Sequence, residues 1–396
     1  MSTRDFRLRR AVVIVAATAV AFAAGIGPAV ATAPAASPKP TPSEAPVRVN
    51  LQPGAQPVPN IKAASWIMAD ANTGEILAAK DESRARPPAS TLKTLTAFTI
   101  IPRLPGTTRY VGRKQDETAE GAHVGVVAGT TYTVNDLMYG MLLPSGNDAA
   151  SALANANGGW GPTLEQMNAE ARRLQANNTV AKTPSGLDEP GQLSSAMDLA
   201  TIFRAGMQLP EFRQYLAVKS AQFPQPVKTG KRSPGTRTIY SENRLLLHNF
   251  AGIEGGKTGY TTNAGRTFVA QATRGNRTLI IALMVITSPT ETAARKLFNW
   301  GFANADRVTP IGSLPEPLAG APAVDAGTAT ATQSADLARA NSTFDKSANP
   351  LTTPGRIAAL TLAGLVVLAL AITLLVARRN RRRANQPTNG TKPTLS

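Results

Sequence analysis

The chain has 396 residues, with 42 lysines and arginines against 25 acidic residues, no cysteine and two histidines. Without cysteine there is no disulfide framework, thiolate metal site or cysteine nucleophile, and two histidines exclude a histidine-rich metal centre. Part of the net charge of +17 sits at the two ends, and no aromatic-interleaved basic stripe accompanies it, so nothing points to nucleic acid.

Residues 1–33 read as a secretory signal peptide. They have a basic start (Arg4, Arg7, Arg9, Arg10), an apolar run from Ala11 to Val30, and small-x-small cleavage sites at Ala29-Val30-Ala31 and Ala31-Thr32-Ala33. The apolar run is long for such a segment, so an uncleaved signal anchor is the alternative. Residues 34–61 are rich in Pro, Ala and Ser and read as a semi-rigid spacer. A folded domain is expected over 62–305. It opens with a β-hairpin, Ala64–Asp70 and Glu75–Ala79 around the turn Ala71-Asn72-Thr73-Gly74.

Next comes Pro88-Ala89-Ser90-Thr91-Leu92-Lys93, at the start of a helical segment. Residues at i and i+3 share a helix face, so the Ser90 hydroxyl and the Lys93 amine fall within mutual reach. That pairing suits an alcohol nucleophile beside a base. Alone it also describes a capping serine followed by a solvated lysine.

A Gly/Thr/Val-rich stretch (Gly121 to Thr133) precedes a helix opened by a capping box, Thr133 with Asp136. Thr163 with Gln166 is expected to open a second helix, Leu164 to Leu174, and Ser195 with Asp198 a third. Strands Thr267–Thr273 and Thr278–Ile286 flank the turn Arg274-Gly275-Asn276-Arg277, and a last helix runs from Glu291 to Phe302. Strands at both ends thus bracket a helical middle. The expected fold is α/β: an antiparallel sheet flanked by helices, with an inserted helical lobe.

Residues 306–355 are Pro/Ala/Thr-rich and read as a second linker. The uncharged run Ile357 to Ala377, within 356–377, is long enough for a transmembrane helix. Arg378, Arg379, Arg381, Arg382 and Arg383 follow it, so 378–396 reads as a cytoplasmic tail and the domain as extracytoplasmic.

Two further stretches carry chemistry: Ser145-Gly146-Asn147 between helices, and Lys257-Thr258-Gly259 just before the last hairpin. A second Lys-Thr-Gly, Lys228-Thr229-Gly230, lies in a basic, Pro-rich surround and reads as a solvated loop. Neither His123 nor His248 has a catalytic context.

Ser-x-x-Lys, Ser-x-Asn and Lys-Thr-Gly, in this order and these settings, resemble the signature of penicillin-binding proteins and serine β-lactamases. The resemblance narrows to the D-alanyl-D-alanine carboxypeptidases, the low-molecular-mass penicillin-binding proteins. Trp66–Gly74, Pro88–Thr96, Leu142–Ala150, Thr183-Pro184-Ser185-Gly186-Leu187, Ser195–Ala200 and Glu242 through Gly265 carry it. It implies acyl transfer from peptidoglycan stem peptides ending in D-Ala-D-Ala, with β-lactams as inhibitors and no metal or cofactor. Ser90 would be the nucleophile and Lys93 the general base. Ser145 would relay protons, and Asn147 would position substrate and Lys93. Lys257 and Thr258 would hold the substrate carboxylate, Gly259 would let the strand come close, and Tyr260 would lend a backbone N–H to the oxyanion hole. The arginine that family members often place after the last strands has no match here; Arg295 is the nearest candidate.

A β-lactamase is the enzymatic rival and would need a glutamate that activates the deacylating water. Glu165 and Glu170 read as a solvated helix start, and Glu189, in a loop, is the remaining candidate. A non-catalytic penicillin-fold envelope protein is the other alternative.

Overall fold

The computed structural model describes residues 43–226 and 235–318. In chain order the first half holds β1 (Arg48–Leu51), β2 (Ala63–Asp70), β3 (Ile76–Lys80), a 3-10 turn (Ala89–Leu92), α1 (Lys93–Ile100), β4 (Arg109–Val111), α2 (Lys114–Glu117), β5 (Thr131–Thr133), α3 (Val134–Leu142), α4 (Asn147–Ala156) and α5 (Trp160–Arg173). Then come α6 (Ala196–Gly206), α7 (Pro210–Ala217), β6 (Ser220–Pro224), β7 (Thr236–Tyr240), α8 (Arg244–Leu247), β8 (Ile253–Thr261), β9 (Gly265–Arg274), β10 (Arg277–Ile286), α9 (Thr290–Asn304) and β11 (Val308–Thr309).

Seven strands form one sheet in the order β11-β1-β3-β2-β10-β9-β8, with every neighbouring pair antiparallel. Strand β10 shows why the sheet is sandwiched. Its apolar run from Leu279 onward alternates between two cores: Ile280, Ala282 and Met284 enter the core under the helical lobe, and Leu279, Ile281 and Leu283 enter the core under α9. A bulge at Met284–Val285, with Val285 at φ +55°, shifts the phase so that Ile286 joins the α9 side. Helix α9 contributes Leu297, Phe298 and Trp300 to that core, and α6 contributes Leu199, Ala200 and Phe203 to the other.

The expected hairpin, helical middle and final hairpin are all present, and Thr133 and Ser195 cap α3 and α6 by accepting from the Asp136 and Asp198 N–H groups. Three expectations change. Residues 48–51, read as spacer, form β1, which pairs Arg48 with Ala79 and Val49 with Ala78. Residues 308–309, read as linker, form β11, which covers β1 in turn. The domain therefore begins before residue 62 and runs past 305. Finally, α5 starts one turn before Thr163. Gly159 at φ +113° turns the chain in, and Pro162 sits in the first turn, where its missing N–H is harmless. The Thr163 hydroxyl is buried and donates to the Ala154 carbonyl, 3.2 Å away, instead of capping.

Among the described residues no helix is long and apolar enough to cross a membrane. The signal peptide, the transmembrane span 356–377, the tail and Lys228-Thr229-Gly230 lie outside those residues.

Candidate active site

The site lies where the 3-10 turn, the α3–α4 loop, the 183–187 loop and strand β8 meet. Ser90 sits on the 3-10 turn and Lys93 is the first residue of α1. On a 3-10 turn side chains at i and i+3 eclipse, which stacks lysine over serine more directly than an α-turn does. Lys93 Nζ is 2.8 Å from Ser90 Oγ. Ala89, just before the serine, holds φ +50°, and Ser145 holds φ +66°. Left-handed backbone at two non-glycine residues costs on the order of 1–3 kcal/mol each, a strain that the surrounding packing must hold.

Lys93 is 0% exposed. Besides Ser90, its amine meets Asn147 Oδ1 at 2.7 Å and the Ser185 carbonyl at 2.8 Å. Both oxygens can only accept. A neutral amine has two N–H bonds, which these two acceptors consume, so its lone pair faces the Ser90 hydroxyl. Burial first, and then the charge of Lys257, hold the Lys93 pKa well below that of a free lysine, while Glu242 and Asp148 pull it partly back.

Asn147 is oriented from behind. Its Nδ2 donates to the Glu120 carbonyl at 2.6 Å, which turns Oδ1 toward Lys93. The next residue, Asp148, accepts from the backbone N–H groups of Val124, Gly125 and Val126 at 2.6–2.9 Å and ties the glycine-rich stretch to α4. Ser145 lies in the same loop, nearly buried, but no hydrogen bond joins its hydroxyl to Lys93, Lys257 or Ser90 among the described residues.

Strand β8 is the sheet edge that closes the other side. A Cβ built on Gly259 would lie 2.8 Å from the Ser90 nitrogen and 3.0 Å from the Thr91 nitrogen, so only glycine allows this approach. Gly259→Ala is expected to lose about 1–3 kcal/mol in chemical denaturation, because backbone amides cannot step aside. The same strand displacement should slow acylation of Ser90 in a stopped-flow assay.

Lys257 is 1% exposed and donates to the Thr258 carbonyl at 2.8 Å. Burial lowers its pKa to about 8, against the opposing pull of Glu242. The Thr258 hydroxyl donates to Glu242 Oε2 at 2.9 Å. Tyr260 exposes its ring, with the Arg266 guanidinium 5.9 Å from the centroid.

The predicted residues thus converge on one site, with Ser90, Lys93 and Asn147 directly linked. Two contributors went unassigned from sequence. The Ser185 carbonyl is a backbone group, and its only signal was the Thr-Pro-Ser-Gly turn; Gly186, at φ +79°, presses against the Ala89 carbonyl. Glu242 sat in a stretch singled out only for resemblance. Glu170, read as solvated, is in fact buried between Arg103 (2.8 Å) and Arg173 (2.7 Å). Arg295 is committed to Glu291 at 2.8 Å and stacks on Phe250. His123 and His248 are exposed, the latter 2.9 Å from Glu291.

A family model described as D-alanyl-D-alanine carboxypeptidase matches residues 52–288. D-alanyl-D-alanine carboxypeptidase DacB2 of Mycobacterium tuberculosis is 43% identical over 273 residues, which is 67% of this chain and 91% of that protein. D-alanyl-D-alanine carboxypeptidase DacD of Escherichia coli is 35% identical over 261 residues, and the match spans 64% of its length. Among solved structures, a D-alanyl-D-alanine carboxypeptidase from M. tuberculosis H37Rv has a TM-score of 0.62 at 43% identity, covering 67% of this chain and 99% of that one. The Streptomyces K15 DD-transpeptidase has a TM-score of 0.58 at 29% identity, covering 63% and 100%. A family match over more than half the chain, and a mycobacterial relative matched over nine tenths of its length, agree with the site geometry: the chain belongs to the D-alanyl-D-alanine carboxypeptidase family.

Proposed function

We propose that the protein is a serine-type D-alanyl-D-alanine carboxypeptidase that trims peptidoglycan stem peptides ending in D-Ala-D-Ala and is acylated by β-lactams. The observation that carries this reading is the Lys93 amine, fully buried, held by two carbonyl acceptors and 2.8 Å from Ser90 Oγ.

Ser90 Oγ attacks the carbonyl of the penultimate D-alanine as Lys93 takes its proton. The developing oxyanion is received by the backbone N–H groups of Ser90 and Tyr260, each worth about 3 kcal/mol. The C–N bond breaks, and D-alanine leaves with a proton relayed through Ser145. Water then attacks the Ser90 ester, Lys93 again acts as base, and the shortened peptide leaves. Lys257 and Thr258 hold the terminal carboxylate throughout the acylation half.

Among the described residues no carboxylate is hydrogen-bonded to Ser90 or Lys93, where a β-lactamase reading would favour one. Glu165 and Glu189 are exposed, Glu170 is spent on two arginines, and Asp188 accepts from Thr261 at 2.7 Å. The basic start with its apolar run, and Ile357–Ala377 with the arginines behind it, support export and a single-pass anchor with the domain outside.

The test is incubation of the full chain, purified in detergent, with labelled penicillin and with diacetyl-Lys-D-Ala-D-Ala. Slow-turnover label mapped to Ser90, together with D-alanine release, is expected. Rapid penicillin hydrolysis without D-alanine release would overturn the assignment.

A further inference from the structure

Glu242 occupies a built position. It lies between β7 and α8, and its N–H donates to the Leu143 carbonyl at 3.1 Å, two residues before Ser145. Its neighbours fix the turn: Asn243 N–H donates to Ser241 Oγ at 3.2 Å, and Asn243 Oδ1 accepts from Leu245 N–H at 3.1 Å. From there one carboxylate oxygen, Oε2, receives the Thr258 hydroxyl at 2.9 Å and lies 3.9 Å from Lys257 Nζ. The two side chains assigned above to the substrate's terminal carboxylate therefore already share an oxygen of Glu242.

We infer that Glu242 is an internal competitor for the substrate's terminal carboxylate and sets the selectivity of that subsite. The inference rests on the proposed carboxypeptidase function. A threonine hydroxyl has one proton to donate, so Thr258 cannot serve both carboxylates. Two carboxylates beside one lysine also repel each other. The incoming carboxylate must displace that of Glu242, whose side chain is 50% exposed. It has a place to go: a cleft of about 500 Å³ borders Glu242 and Thr258, and Arg244 and Arg266 line its wall. The subsite thus binds an anionic terminus less tightly than its donors alone would, while a neutral carboxamide contends for the Thr258 proton but escapes the charge repulsion.

The experiment compares the full chain with Glu242→Gln and Glu242→Ala on diacetyl-Lys-D-Ala-D-Ala, on the same peptide ending in a carboxamide, and on labelled penicillin. Removing Glu242 lets Lys257 lose its proton more readily and takes its pKa below the present value of about 8, so the assays are run well under that pH. Glu242→Ala is expected to lower KM for the free acid about five- to tenfold and to raise penicillin acylation by a similar factor, and Glu242→Gln, which removes the charge but keeps an acceptor for Thr258, by less. The carboxamide, which lacks the charge, should show a clearly smaller gain. Three outcomes overturn the inference: a KM that rises, which would make Glu242 a support for Thr258 and Lys257; an equal gain on the carboxamide; or no change. A wild-type chain that neither takes up label nor releases D-alanine overturns the carboxypeptidase reading itself, and this inference with it.

Discussion

Lys93→Met is expected to lower both D-alanine release and penicillin acylation by about 10³-fold or more, within the range of a general base. At about 1.4 kcal/mol per decade this is at least ~4 kcal/mol of transition-state stabilisation. Both reactions begin with the same proton transfer from Ser90, so both should fall together. Methionine is a near match in length, and it removes a buried amine whose desolvation was unfavourable. It also leaves Asn147 Oδ1 and the Ser185 carbonyl without their donor, at about 1–3 kcal/mol each. The two effects oppose, so thermal melting should show a folded protein with modest loss. Lys93→Arg keeps the positive charge and should be equally inactive, because a guanidinium does not surrender its proton. Single-turnover labelling checks this. A Met or Arg variant that keeps a tenth of the wild-type rate would remove Lys93 from the base role.

The Ser90–Lys93 pairing was readable because it depends only on spacing along one turn. The Thr133 and Ser195 caps were readable for the same reason: each is a local bond across three residues. What stayed hidden depends on distant partners. The Ser185 carbonyl reaches Lys93 across 92 positions, and a backbone oxygen has no letter of its own. Strands β1 and β11 are four and two residues long, too short for an alternation to register in Pro-rich surroundings. β1 is a strand because β3 offers an unpaired edge, and β11 because β1 then offers the next one, which are tertiary facts. Thr163 carried a cap-like pattern, but the start of α5 was decided by Gly159 upstream, and the threonine was buried instead. Glu170 likewise carried a surface-helix pattern, while Arg103 on a separate segment made burial tolerable by pairing with it.

The second large effect separates the two lysines by pH. Lys257 must be cationic to hold a carboxylate, and its pKa is lowered to about 8. It is charged below that value and loses its proton as pH rises through it, so kcat/KM should fall on the alkaline side. Lys93 must be neutral to accept the Ser90 proton, so its protonation forms the acid limb, well below the range of a free lysine. The activity window is bounded by Lys93 below and Lys257 above. Lys257→Met should raise KM up to about 10²-fold, the worth of a charged hydrogen bond. It should also erase the alkaline limb. The sharper consequence lies at the other end. The charge of Lys257 is one of the causes that hold Lys93 down. Removing it relieves like-charge repulsion, so Lys93 binds its proton more readily and the acid limb moves to higher pH. A kcat/KM profile from about pH 5 to about pH 10 on both proteins reads the two limbs independently. If the acid limb stays in place in Lys257→Met, the lysines are not electrostatically coupled, and burial alone must account for the neutral Lys93.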